Sequence, residues 1–230
     1  MSASEVTIRR SARARRVRIQ VSAAAGVEVV VPDGLALGEV EPFVASKRGW
    51  IERTLRRMRA AEAERPPPEL RDGGGIPYLG ETLALGVSVQ PRRARPHVAR
   101  DGQTLHVAVG ESGPGPLRDA LERWYRRRAR AEVMPRLDDA VARAGSSYTR
   151  LQIRGQRTRW ASCSATATMS FNWRLLLAPA EVLDYVVEHE VAHLEVHDHS
   201  QRFWSLLADR CPAYREHEAW LRRYGQSLRL

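Results

Sequence analysis

A chain of 230 residues is long enough to bury a core without disulfide or metal staples, and a hydrophobic share of 43% excludes wholesale disorder. Lys and Arg number 37 against 27 Asp and Glu, a formal charge of +10, and Lys47 is the only lysine, so the excess is arginine. Two cysteines, Cys163 and Cys211, are too few for a disulfide framework, and no run approaches the ~18 apolar residues of a membrane span.

The basic N-terminal stretch is not followed by the apolar run of a secretory signal, and unpaired thiols suit a reducing compartment, so a cytoplasmic protein with no membrane partner is expected. Arginine clusters at Arg9–Arg18, Arg53–Arg59, Arg92–Arg100 and Arg123–Arg130 raise nucleic acid or a nucleotide as a partner. A GC-rich coding sequence also yields arginine in place of lysine, and a charge count carries no geometry.

Residues 5–31 alternate Val6, Ile8, Val17, Ile19, Val21, Val27, Val29 and Val31 with polar or small residues, the period of strands. Pro32-Asp33-Gly34 closes them as a turn. The spacing of Val40, Phe43, Val44, Trp50, Ile51, Leu55 and Met58 predicts one helix over 39–62, stopped by Pro66-Pro67-Pro68. Short strands are expected around 77–89 and 103–109. A Gly/Pro-rich break over 110–116 precedes a long helix over 116–144. The expected division is therefore a β-rich region with one helix, 1–115, and a second region, 116–230.

From Tyr148 to Leu177 the pattern is extended again, through Leu151 and Ile153, a turn near Ser162–Ala167, and Met169, Phe171, Trp173, Leu175 and Leu177. A strand over 169–177 with an open edge would accept an extended peptide by β-augmentation. Pro179 stands where the first helical position should fall, and Glu181 adds a favourable charge to a helix over 179–194. A last helical stretch is expected over 201–223.

The helix over 179–194 carries His189-Glu190-Val191-Ala192-His193. Histidines four apart project from one helical face, close enough to bind one ion through their imidazoles. Zn2+ takes such nitrogen ligands near-tetrahedrally, and a catalytic site leaves one position for water. Glu190, beside the first histidine, is placed to take a proton from that water and pass it to a leaving group. Two surface histidines on an amphipathic helix are the bland alternative. It fits poorly, because the rest of the helix is apolar and burying three polar side chains without partners is costly. A third ligand is required. His199 suits a sharp turn after the helix, although Val196 stands where glycine would ease it; His197 is a near competitor, and Glu216, His217 and Glu218 are distant ones.

An ordered series of motifs accompanies this signature. It runs through Arg159-Trp160-Ala161-Ser162-Cys163-Ser164, Asn172-Trp173-Arg174-Leu175 and Leu177-Ala178-Pro179. It continues with Asp184-Tyr185-Val186-Val187 leading into His189–Leu194, then His199-Ser200, Arg202-Phe203-Trp204, Cys211-Pro212 and Tyr214. The stretch from Arg157 to about Trp220 thereby resembles the YgjP-like metallopeptidase domain family, related to SprT-like and WLM proteases. The N-terminal half is similar more loosely, through Phe43-Val44, Lys47, Trp50-Ile51 and Tyr78-Leu79-Gly80. The resemblance implies an α+β fold with a zincin-like C-terminal catalytic region and a β-rich N-terminal region. It also implies zinc held by His189, His193 and His199, with Glu190 as base. Ala161 and Val191 stand where the family usually has Gly and Leu, mild departures that leave the metal set intact.

Three functions follow as expectations. The first is a zinc-dependent metallopeptidase acting on a peptide or protein. The second is a metal-dependent hydrolase of phosphate anhydrides or nucleotides. The third is a nucleic-acid-associated protein with a structural zinc. Among the flanking residues, Cys163 reads as a small strand-turn residue and Trp160, Trp173 and Trp204 as core aromatics. Arg159 and Arg174 suit either a substrate carboxylate, phosphate or oxyanion, or a structural ion pair.

Overall fold

A computed structural model of the chain describes residues 6–22, 26–92, 95–156 and 158–230. Residue 5 at the start of the first strand stretch, Arg93 of one basic cluster, and Arg157 lie outside the described residues. The chain divides into two compact units, one of residues up to Pro66 with Arg223–Ser227, the other of Pro67–Arg222 with Leu228–Leu230.

In the first unit β1 (Val6–Arg10), β2 (Arg18–Ser22) and β3 (Gly26–Val31) form a sheet in the order β1-β3-β2, with β1 parallel and β2 antiparallel to β3. The central strand is the apolar one: Val27, Val29, Val30 and Val31 are all fully buried. Val27 packs on Ile51 and Leu55, and Val29 and Val31 on Val40. The single helix expected over 39–62 is two helices, α1 (Leu37–Ser46) and α2 (Arg48–Glu64). The break lies at Lys47 (φ −102°, ψ 0°), where the Ser46 hydroxyl donates back to the Phe43 carbonyl, competing with the helical ladder, and Gly49 follows.

The second unit opens with a sheet in the order β4-β5-β7-β6, built from β4 (Gly75–Tyr78), β5 (Glu81–Val89), β6 (His97–Asp101) and β7 (Thr104–Val109). The sequence gives no signal for β6, because it is an edge strand whose side chains are largely exposed and show no apolar alternation. A helix of 30 residues, α3 (Pro114–Arg143), follows with a proline in its first turn. At 1.5 Å per residue it is about 45 Å long. That length lets it pack on β7, on β8 (Arg150–Arg154) and on the helix that carries the histidines.

The strand β8, β9 (Ala161–Cys163) and β10 (Thr168–Asn172) form the third sheet, ordered β8-β10-β9. Residues 169–177 are not one strand: β10 ends at Asn172 and Trp173–Leu177 form a 3-10 helix. The Asn172 side chain accepts from the Arg174 N–H at 3.1 Å, and Leu175, Leu176 and Leu177 are all fully buried, so two-sided burial replaces alternation. Nor does β10 have an open edge, since it pairs with β8 on one side and β9 on the other. The edge strands of this sheet are β8 and β9.

The helix α4 (Ala180–Ala192) starts one residue later than expected. Pro179, with an extended ψ of 152°, is its N-cap, and its carbonyl accepts from the Val182 N–H. The last helical stretch is two helices, α5 (Gln201–Arg210) and α6 (Tyr214–Tyr224), parted at Cys211-Pro212, where proline lacks a donor. One continuous core joins β4, β5, β7, α3, β10 and α4 through Leu83, Leu105, Leu121, Tyr125, Phe171 and Leu183.

Candidate metal centre

The segment from Val182 to Ala192 is held by apolar burial, with Val182, Leu183, Val187 and Val191 at 1% exposure or less. That burial fixes the roll of α4 and so decides where His189 and Glu190 point. His193 is the C-cap of the helix and retains helical dihedrals (φ −68°, ψ −15°), which keeps it on the face of His189. The chain then turns: the N–H groups of Glu195 and Val196 donate to the Ala192 carbonyl at 3.1 and 3.0 Å. Glycine is not needed, because the non-glycine residues with positive φ among those described are Leu79 and Ala167, not Val196. Val196 instead buries its side chain and presents its carbonyl to His193 Nδ1 at 3.0 Å. Asp198 accepts from the Ser200 N–H at 3.1 Å, which sets the entry into α5 and the position of His199.

The turn brings His189, His193 and His199 together, one ring nitrogen from each lying within 4.8 Å of the others. The Nε2 atoms of His189 and His199 are 3.1 Å apart. Two nitrogens on a tetrahedral zinc, each ~2.0–2.1 Å from the ion, would lie about 3.3 Å apart, so the spacing suits a metal and the donor set is the nitrogen type zinc prefers. Burial, helped by the neighbouring His193 and His199, holds His189 down to about 3. Burial also lowers His193, against the Val196 hydrogen bond. Both rings are therefore neutral at pH 7, the form that ligates metals. The His193 Nδ1–H bond to Val196 leaves Nε2 as the free lone pair. His189 Nδ1 is buried without a partner, so this ring is held by packing instead, against Tyr185, Phe203 and Trp204 at centroid distances of 5.9, 4.9 and 6.2 Å.

His197 is exposed and falls outside the group, as do Glu216, His217 and Glu218. His217 lies 6.1 Å from the Tyr185 ring, and Glu218 lines the adjoining cleft. Sequence reasoning did not single out Phe203, which is fully buried, stacks on the His193 ring at 4.5 Å and meets the His189 and His199 rings edge-on at 4.9 and 4.8 Å. Its place two residues into α5, in the same short motif as Trp204, was the available signal.

Glu190 is 6% exposed, and burial pushes its carboxyl up to about 7, against the lowering effect of the Cys163 backbone N–H. Its Oε2 atom has no hydrogen-bond partner. It lines a cleft of about 460 Å³ with His189, Arg159, Trp160, Glu218 and Arg222. Cys163 is half-buried on β9, with its thiol pushed up by burial and by Glu190. Of the three tryptophans, Trp173 is core at 1% exposure, whereas Trp160 lines the cleft and Trp204 lines a neighbouring groove beside Tyr214. Arg174 stacks on Trp173, 4.6 Å from the ring, and donates to the Gly155 carbonyl.

Several arginines of this unit pair internally. Arg100 pairs with Glu81, Arg126 with Glu122, Arg136 with Glu132 and Asp184, Arg143 with Glu188, and Arg210 with Glu195. Among the described residues no helix is long and apolar enough to cross a membrane.

A comparison with curated proteins finds no match. Among solved structures, the chain is similar to the crystal structure of the metallopeptidase zymogen abylysin from Pyrococcus abyssi. The identity is 25% and the TM-score 0.36, over 39% of this chain and 90% of that one. A family model described as the YgjP-like metallopeptidase domain matches residues 15–224. With nearly its whole length matched, and with a histidine triad suited to the metal such a peptidase needs, the chain belongs to the YgjP-like metallopeptidase domain family.

Proposed function

We propose that the protein is a zinc-dependent metallopeptidase with a zincin-like catalytic region within residues 116–230. His189, His193 and His199 hold the metal and Glu190 is the general base. The observation that carries the reading is the placement of Glu190. Its carboxylate is buried, has one oxygen without a partner, and lines the same cleft as His189. A surface acid on a structural metal site needs none of this.

When bound, zinc supplies Lewis acidity, bringing the pKa of water towards ~7 and polarising a carbonyl. Glu190 takes a proton from the attacking water as the new C–O bond forms. It returns that proton to the amide nitrogen as the C–N bond breaks, so the products are a carboxylate and an amine. A group held near 7 by burial suits both halves of that exchange at neutral pH. The Cys163 N–H orients the carboxylate from β9. Because β9 is an edge strand packed on α4, its free side offers main-chain pairing to an extended peptide directly beside the triad.

The family match favours a peptide over a nucleotide or nucleic acid. The test is a turnover screen of zinc-loaded protein on extended peptides, nucleoside triphosphates and single-stranded oligonucleotides, with and without a chelator. Chelator-sensitive peptide cleavage alone supports the proposal. Hydrolysis confined to nucleotides would overturn it.

A further inference from the structure

Among the described residues, one cation lining the cleft beside the triad has no partner in the fold. Arg159 is exposed and lines the cleft together with His189 and Glu190. The other cleft arginine, Arg222, pairs with Glu218 at 3.5 Å. Arg159 has no ion-pair or side-chain hydrogen-bond partner among the described residues.

Its backbone, by contrast, is firmly held. Asn172 is 2% exposed, and its side-chain amide donates to the carbonyls of Gln156 (2.7 Å) and Arg159 (3.2 Å). The Asn172 N–H donates to the Trp160 carbonyl at 2.7 Å. Burying an amide is costly unless its bonds are met. Here they are met by fixing the loop that enters β9. A residue whose backbone is held by a buried amide, carrying a guanidinium without a described partner at the wall of a cleft, has the form of a recognition element rather than of a solvated surface charge.

We propose that Arg159 is a specificity-determining residue that binds a carboxylate of the substrate, and that Asn172 is the positioning residue that holds it in place. A guanidinium engages a carboxylate through two parallel N–H donors, which lysine and neutral residues do not reproduce. Two carboxylates share that chemistry, a Glu or Asp side chain and a free peptide C-terminus. The inference rests on the reading of this cleft as a peptide site.

The test uses full-length, zinc-loaded Glu190→Gln protein, so that binding is read without turnover. Fluorescent peptides are compared in two arms: Glu against Gln at each position in turn, and free C-terminal acid against amide. The expected result is about tenfold tighter binding of the carboxylate member in one arm, weakening as salt is raised. Arg159→Gln should bring acid and neutral partners within twofold of each other, while Arg159→Lys retains part of the preference. Asn172→Ala should shrink the preference with the guanidinium still present. The preferring arm identifies the source of the carboxylate. Equal binding of acid and neutral peptides, a preference that survives Arg159→Gln, or no peptide binding up to millimolar concentration would each overturn the proposal. Absent turnover by the wild-type protein with the Arg159-dependent preference intact would instead count against the hydrolase reading alone.

Discussion

His193 Nδ1 lies 3.0 Å from the carbonyl oxygen of Val196, three residues further along the turn that leaves α4. This contact couples the shape of the turn to the orientation of one ring of the triad. Glycine at 196 would ease such a turn in general, but here it would remove a buried side chain and free the carbonyl that fixes the ring. Val196→Gly should therefore weaken metal binding about tenfold, the lower end for loss of a ligand's outer partner. His197→Ala, on the same turn but exposed and outside the triad, should leave it unchanged. Competition with a chromogenic chelator measures both.

Phe203 packs against all three imidazoles and is fully buried. Truncation to alanine leaves a cavity beneath the triad. Phe203→Ala should cost about 3–5 kcal/mol in urea denaturation. A loss under 1 kcal/mol would mean that the ring is not part of the core.

Glu132 offers a test of stability against pH. Burial alone would raise its carboxyl, but hydrogen bonds from Tyr78 and Arg136, with the charges of Arg136 and Arg128, outweigh this and hold it below the usual carboxylate range. The folded value is thus depressed relative to the unfolded one. Its contribution is fully present above about pH 4.5 and is lost as pH falls through the folded value. The urea midpoint of the wild-type protein should fall more steeply than that of Glu132→Gln below pH 4.5. Parallel curves would remove Glu132 from the acid-sensitive set.

Asn172 satisfies both the loop before β9 and the 3-10 turn after β10, accepting from Arg174 N–H while donating to Gln156 and Arg159. Asn172→Ala leaves those backbone groups to find other partners. It should cost about 1–3 kcal/mol by thermal or urea unfolding. An unchanged midpoint would show that water replaces the amide without penalty.

The strands of the first unit were legible because Val27, Val29 and Val31 alternate against one helical layer. The α4 helix was legible because its apolar positions recur at helical spacing. What escaped depended on contacts far apart in sequence. The 169–177 stretch alternates as a strand would, yet Asn172 caps a turn there and Leu176 is buried as deeply as its neighbours. The open edge expected at β10 is absent, because β8 and β9 take its two sides. His189 and His193 were readable from spacing alone. The approach of His199 depends on a turn made without glycine, and Phe203 becomes visible as a neighbour only once α5 folds back onto the triad.

The most direct measurement is peptide turnover by wild-type and Glu190→Gln proteins at equal, independently determined metal content. Glutamine keeps the size of the side chain but cannot take the proton. With a general base contributing about 10²–10⁴ in rate, Glu190→Gln should hold as much metal as wild type and lose at least a hundredfold in kcat. A variant that carries the same metal and cleaves as fast as wild type would contradict the assignment of Glu190, and with it the mechanism.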